Sequence, residues 1–340
     1  MPCPSRCLLL AGAVLYAACA GETSKGEAGT FRAALLTSGP VSDAGWHAGA
    51  YAGLLLIQDS LGADVSHQQT RTPAEFDEAF LAYASSGYDL IFAHGFEYQD
   101  AAIRAGEEFP NTTIIVSGGG RVSDNVVPLI FRLEQGSYLA GMAAAGMTET
   151  GIVGMVGGVA IPTAIGTFRA FEAGARAIDP DIEVLEAFTG DWYDVAAAKE
   201  AAVAQLSRGA DVIIHNLDAA SFGVFQAVRE SRAAGHTSWA IGQNSDQNDV
   251  APDVIIGSAV IRIPKAFLTT ARAWQAGEVG ASAIYAGMAQ DVVDFVINPE
   301  LAHLFPGEIV DAIAEAHARI RAGELVVPRV SFVEGGAGGQ

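Results

Sequence analysis

From residue 30 to about residue 325 short apolar or β-branched runs alternate with longer helical patterns, which constrains the fold more than any other feature. The strand candidates begin with Phe31–Thr37, Asp64–Gln69 and Leu90–His94 and end with Val254–Ile263, Tyr285–Met288 and Val292–Ile297. Helical patterns such as Ala48–Leu61, Pro73–Ser86 and Ile165–Ile178 lie between them, and a last one, Pro306–Ala322, opens on a proline tolerated in a first turn. Strands that are apolar on both faces and separated by helices predict parallel sheets covered on both sides. About twelve strands are more than one lobe of typical domain size would use. The reading is therefore an α/β chain of two doubly wound parallel-sheet lobes joined by late crossovers.

The units fall into two runs, broken near Glu134 and again near Ser258. One lobe is expected to comprise residues 30–133 plus about 259–297, the other 134–258 plus about 298–328, with a flexible tail over 329–340. In such sheets ligands bind in the loops beyond the carboxyl ends of the strands. In a two-lobed chain those loops face one cleft, which hinge closure can bury.

The chain carries 39 acidic and 19 basic residues, a formal charge of −20, and lacks the Lys and Arg clusters that nucleic acid requires. All three cysteines, Cys3, Cys7 and Cys19, lie in the first nineteen residues, so a later disulfide or thiolate chemistry is excluded. Arg6, an apolar run and then small residues form the pattern of a cleaved secretion signal over residues 1–18. Tyr16-Ala17-Ala18-Cys19 resembles a lipobox in which Cys19 is lipidated, with Tyr16 in place of the usual Leu. Ordinary signal cleavage after Ala20 is the other reading. Residues 19–29 are then a tether, and the mature chain is exported and held at the membrane, facing the periplasm or cell exterior. Residues 139–168 are almost uniformly apolar, but Thr148-Glu149-Thr150-Gly151 interrupts them, which predicts a helix followed by a strand and not a membrane span.

The strand-end loops hold aromatics beside Asp, Asn or Gln: Asp43, Trp46 and His47 after the first strand, Phe96 after the third, then Trp192, Asp218 and Asp246 in the second lobe. An aromatic face can stack on a flat heterocycle while carboxylates accept hydrogen bonds from hydroxyl or ring N–H groups. Each has a plainer reading. Asp43, Asp194 and Asp218 precede helices, where aspartate commonly caps. Trp46 and Trp192 could pack loops onto their lobes, and Trp239 and Trp274 belong to core elements. Asp246 has no helix after it and is read as a ligand acceptor.

Ala33-Ala34-Leu35-Leu36-Thr37 leads to Asp43-Ala44-Gly45-Trp46-His47, and Gln135-Gly136-Ser137-Tyr138-Leu139-Ala140-Gly141 follows. Then come Val156-Gly157-Gly158, Phe171-Glu172-Ala173-Gly174, Gly209-Ala210-Asp211-Val212-Ile213, and Ile241-Gly242 with Ser245-Asp246-Gln247. In that order and spacing they resemble the basic membrane lipoprotein family, the purine-nucleoside-type substrate-binding proteins of ABC transporters. The resemblance implies a type I periplasmic-binding-protein fold, partnership with ABC permease subunits, no cofactor and no catalysis. It implies that Trp46 stacks on a purine, that Asp43 and His47 touch base or sugar, and that Asp246 binds sugar hydroxyls. His47 stands where the family usually has Asn, and Ile261 stands where many members have a Lys. A free base or another flat heterocycle thus rivals a nucleoside. A sensing partner for a membrane receptor would use the same cleft. No nucleotide-binding glycine loop, nucleophile elbow or paired-histidine metal spacing supports an enzyme.

Overall fold

The computed structural model describes Met1, residues 31–43 and residues 45–333. Cys19, its lipobox and the tether lie outside the described residues.

The first sheet is built from β1 (Arg32–Thr37), β2 (Asp64–Gln69), β3 (Leu90–His94), β4 (Thr113–Ser117) and β5 (Val126–Phe131). Between them run α1 (Trp46–Leu61), α2 (Pro73–Ser85) and α3 (Gln99–Glu108). After α4 (Leu133–Met147) the second sheet begins, with β6 (Ile152–Gly157), β7 (Glu183–Phe188), β8 (Val212–Asn216), β9 (Trp239–Asn244) and β10 (Ile255–Ile261). Its helices are α5 (Pro162–Ile178), α6 (Val195–Ser207) and α7 (Ser221–Ala233). Then α8 (Ile263–Gln275) packs on α1, and β11 (Ile284–Ala286) returns to the first sheet. Finally β12 (Val293–Ile297) rejoins the second sheet, and α9 (Gly307–Arg321) packs on α4.

The strand orders are β11-β5-β4-β3-β1-β2 and β12-β10-β9-β8-β6-β7, two doubly wound sheets as the alternation predicts. One pairing departs from the parallel expectation: β12 runs antiparallel to β10. The chain comes back from the first lobe at the carboxyl end of β10, where the Arg262 N–H donates to Val292 O, so β12 can only run the other way. By strand pairing the chain has thus recrossed before Val293, earlier than the boundary near 297 expected from the sequence. The apolar stretch at 139–168 resolves into α4, β6 and the start of α5. Among the described residues no helix is long and apolar enough to cross a membrane.

Among the described residues the chain crosses between the sheets at Arg132, at Arg262 and over Gly287–Val292, and residues 330–332 later lie against Gly166 of one lobe and Gly120 of the other. The Arg132 N–H donates to Ala286 O and the Met288 N–H to Gln135 Oε1, which ties the first crossing to the third. Arg262 bonds Asp291 and Asp294 through separate guanidinium nitrogens, at 3.0 and 2.7 Å. Its side chain is thereby committed to the crossings, and Ile261 on the opposite face of the strand is the residue that lines the cleft.

Two glycines decide how the second lobe packs. A Cβ on Gly174 of α5 would stand 1.9 Å from Tyr138 O of α4, and one on Gly141 of α4 would stand 2.0 Å from Phe171 O of α5. The two helices touch backbone to backbone. Gly174→Ala should therefore cost about 1–3 kcal/mol of unfolding free energy or more, since the helices must separate. Chemical denaturation measures it.

His215, fully buried at the end of β8, accepts the Leu217 N–H on Nδ1 and therefore donates from Nε2 to Gln247 Oε1 at 2.8 Å. Burial holds its pKa down at about 4, against 6.5 for a free imidazole. As pH falls below 6.5 the unfolded chain takes up a proton that the folded chain refuses until about 4, so stability present above 6.5 is lost through that window. His215→Asn should be less stable near neutrality, yet lose about 2 kcal/mol less between pH 6.5 and 5. Denaturation curves at the two pH values test this.

Candidate ligand cleft

Every strand-end loop expected to matter lies at a carboxyl edge, and the two edges enclose a cleft of about 520 Å³. From the first lobe Ser38, Trp46, Phe96 and Glu97 line it; from the second, Trp192, Tyr193, Asn216, Asp218 and Asn244 do so.

Helix α1 starts at Trp46, two residues before the predicted start, and this sets the first wall. Asp43 precedes it, buried, and accepts the backbone N–H groups of Gly45, His47 and Ala48 at 3.1, 2.8 and 2.9 Å. It caps the helix, the plainer of its two readings, and is absent from the cleft lining. The Trp46 ring stacks on His94, with centroids 3.9 Å apart and planes 27° apart, and meets Phe131 edge-on. His94 Nε2 lies 3.1 Å from Trp46 O, so His94 must donate there. Burial holds its pKa well below the usual value, so the imidazole is neutral.

In the second lobe Gly190, at φ 85°, turns the chain after β7, and Asp191 Oδ1 accepts the N–H groups of Tyr193 and Asp194. That loop projects Trp192 and Tyr193. Trp192 packs over Gly158, where a Cβ would stand 2.2 Å from the indole, so its loop-packing reading and its place in the cleft both hold. Asp194 caps α6 through Ala197 N. Tyr193 crosses to the first lobe, its hydroxyl 3.0 Å from His47 Nε2 and 3.5 Å from Ser38 Oγ. His47 Nε2 is also 3.7 Å from Asp218 Oδ2. Burial lowers the His47 pKa to about 4, against the opposing charge of Asp43, and burial raises Asp218 well above the carboxylate range, helped by Asp43 and Glu97. Glu97 is exposed to the cleft, and desolvation by the surrounding protein shifts its carboxyl upward.

Of the residues singled out by sequence, Trp46, Phe96, Trp192 and Asp218 line the cleft, and His47 lies directly behind Tyr193. Asp246 does not join them: it is exposed, and its Oδ1 accepts the Asn248 N–H in a local turn. Asn244 occupies the cleft edge instead, buried and with a positive φ of 73°, a conformation Asn tolerates better than most residues. Glu97, Tyr193, Asn216 and Asn244 escaped sequence reasoning. Their signal was only adjacency to a strand end, which many loop residues share.

A family model described as Bmp, the PnrA-like ABC transporter substrate-binding proteins, matches residues 31–329. The chain belongs to this family. It is a substrate-binding protein of an ABC transporter, a class that is extracytoplasmic, binds small molecules and works with permease subunits, without enzymatic activity. A purine-binding protein of Brucella abortus is 26% identical over 290 residues, 84% of this chain and 80% of that protein. Basic membrane protein A2 of Borrelia garinii is 26% identical over 328 residues, covering 94% of this chain and 95% of that one. Among solved structures, a solute-binding protein of an ABC transporter system from Aeropyrum pernix superposes with a TM-score of 0.79 at 22% identity. The superposition covers 88% of this chain and 94% of that one, a likeness of fold.

Tyr193 of the second lobe is seated in the first beside Gly39 and His47. A Cβ on Gly39 would stand 2.5 Å from its hydroxyl oxygen and 2.8 Å from His47 Cδ2. Gly39→Ala should push Tyr193 out, break its bond to His47 and hold the lobes apart. Small-angle scattering should show a larger radius of gyration, with unchanged secondary structure by circular dichroism.

Proposed function

We propose that the cleft captures a purine nucleoside or a related flat heterocycle for delivery to the permease, and that Cys19 anchors the exported protein by lipidation. The observation that carries the ligand reading is the backed indole of Trp46. Its ring is fixed on His94 at 3.9 Å, at a cleft whose second lobe offers Trp192 and the polar groups of Asn216, Asp218 and Asn244. A rigid aromatic wall facing a few convergent polar groups suits a planar ring bearing N–H or hydroxyl donors. The purine-binding relative from Brucella abortus supports the same class.

The polar groups have assigned roles in this reading. Asp218 and Asn244 receive donors from base or sugar, Phe96 closes the apolar side, and Tyr193 reports closure through His47. Asp43 contributes indirectly by holding the first turn of α1, and so the Trp46 backbone, in place. The acceptor role expected of Asp246 passes to residues that reach the cleft. The 520 Å³ volume is of the size that encloses a small ligand.

Calorimetry against a panel of nucleosides and bases tests the proposal. Trp46→Ala should weaken binding by about 1–3 kcal/mol, the scale of one base–aromatic stack. Asp246→Ala should leave affinity unchanged. No binding to any purine or purine-like ring overturns the ligand reading. Mass spectrometry of the mature N-terminus, with or without a diacylglyceryl group on Cys19, tests the anchor.

A further inference from the structure

Resting on that reading of the cleft, we infer that the bound heterocycle is a cation, its positive charge met by Asp218 and Glu97 while its ring packs on Trp46.

The acids at this corner are unequally served. Asp43 is compensated by three backbone N–H groups at the start of α1. Asp218 and Glu97 have no such cradle. Among the described residues no Arg or Lys lies within ion-pair distance of either, and the one cationisable neighbour of Asp218 is His47 at 3.7 Å, which burial keeps neutral near pH 7. The hydroxyls of Tyr193 and Ser38 satisfy them only in part. Arg71, Arg132 and Arg329 also line the cleft, but none is paired with Asp218 or Glu97, and Arg132 is taken by Glu134. The strand face that could bring a further cation inward presents Ile261, while Arg262 is spent on Asp291 and Asp294.

A buried carboxyl group that lacks a counter-charge, as Asp218 does, is costly to ionise, and a neutral ligand leaves that cost in place, while the more exposed Glu97 adds a second acceptor at the same cleft. A cationic ring removes it. The charge gains two charge-assisted contacts and lies among the aromatic faces of Trp46, Phe96 and Trp192, which attract cations as well as flat rings. The carboxyl groups favour the protonated form in the empty cleft, so binding a cation should release their protons to buffer while the ring keeps its charge.

The test is calorimetry and thermal shift with pairs that share ring and sugar: 1-methyladenosine against adenosine, and 7-methylguanosine against guanosine. At pH 6 the methylated member of each pair is cationic. The cation should bind about tenfold more tightly than its neutral parent, the discrimination of one strengthened contact. Its binding enthalpy should also vary with buffer ionisation enthalpy in the sense of proton release. In Asp218→Asn and Glu97→Gln the ratio of cation to neutral affinity should shrink toward parity whatever the neutral affinity itself does, with the melting temperature of the unliganded variants checking that they fold. Equal or tighter binding of both neutral parents overturns the inference and leaves the flat-ring reading standing. If no member of either pair raises the melting temperature, the flat-ring reading falls and takes this inference with it.

Discussion

Tyr193 bridges the two lobes at the point where their strand edges meet. Its hydroxyl stands 3.0 Å from His47 Nε2 and 3.5 Å from Ser38 Oγ, and its ring fills the space that Gly39 leaves open. His47 in turn is held by the first turn of α1, which Asp43 caps, and that same turn begins with Trp46. Closure, the position of the aromatic wall and the electrostatics of the acidic corner therefore share one small set of contacts. Because these are hydrogen bonds and van der Waals contacts across an otherwise separable interface, a ligand that adds contacts to both edges can shift the balance between open and closed forms.

The crossings give that balance a mechanical basis. Arg132, Arg262 and the Gly287–Val292 segment are linked by backbone bonds and by the Arg262–Asp291–Asp294 ion pairs. In hinge closure the lobes move as units about such crossings, so strand-end loops keep their internal geometry while the distance between them changes. The backbone contact of α4 with α5 serves the same end within the second lobe.

Burying titratable groups near the cleft carries a cost. His47, His94 and His215 are neutral because burial opposes their charge, and Asp218 and Glu97 are shifted upward for the same reason. These effects oppose one another as pH falls. The histidines destabilise the folded state as the unfolded chain takes up protons, whereas the acids, more easily protonated when folded, favour it. His94, kept neutral by burial, backs Trp46 without placing an uncompensated charge in the core.

Period and composition alone determined much. Apolar strands between helices dictated two doubly wound sheets, because such strands must be covered on both faces, and the family's motifs are local runs that survive in linear order. The strand-end rule reached Trp46, Phe96, Trp192 and Asp218, because the chain just past a carboxyl strand end is carried to the cleft edge, although packing decides which of its side chains enter. Tertiary structure decided the rest. Asp246 and Asn244 are two residues apart, yet one is exposed in its own turn and the other is buried at the cleft, a difference of backbone direction that no pattern encodes. The antiparallel β12 follows from where the chain re-enters the sheet. The pairing of Tyr193 with His47, 146 residues apart, exists only because the carboxyl edges of the two sheets face each other.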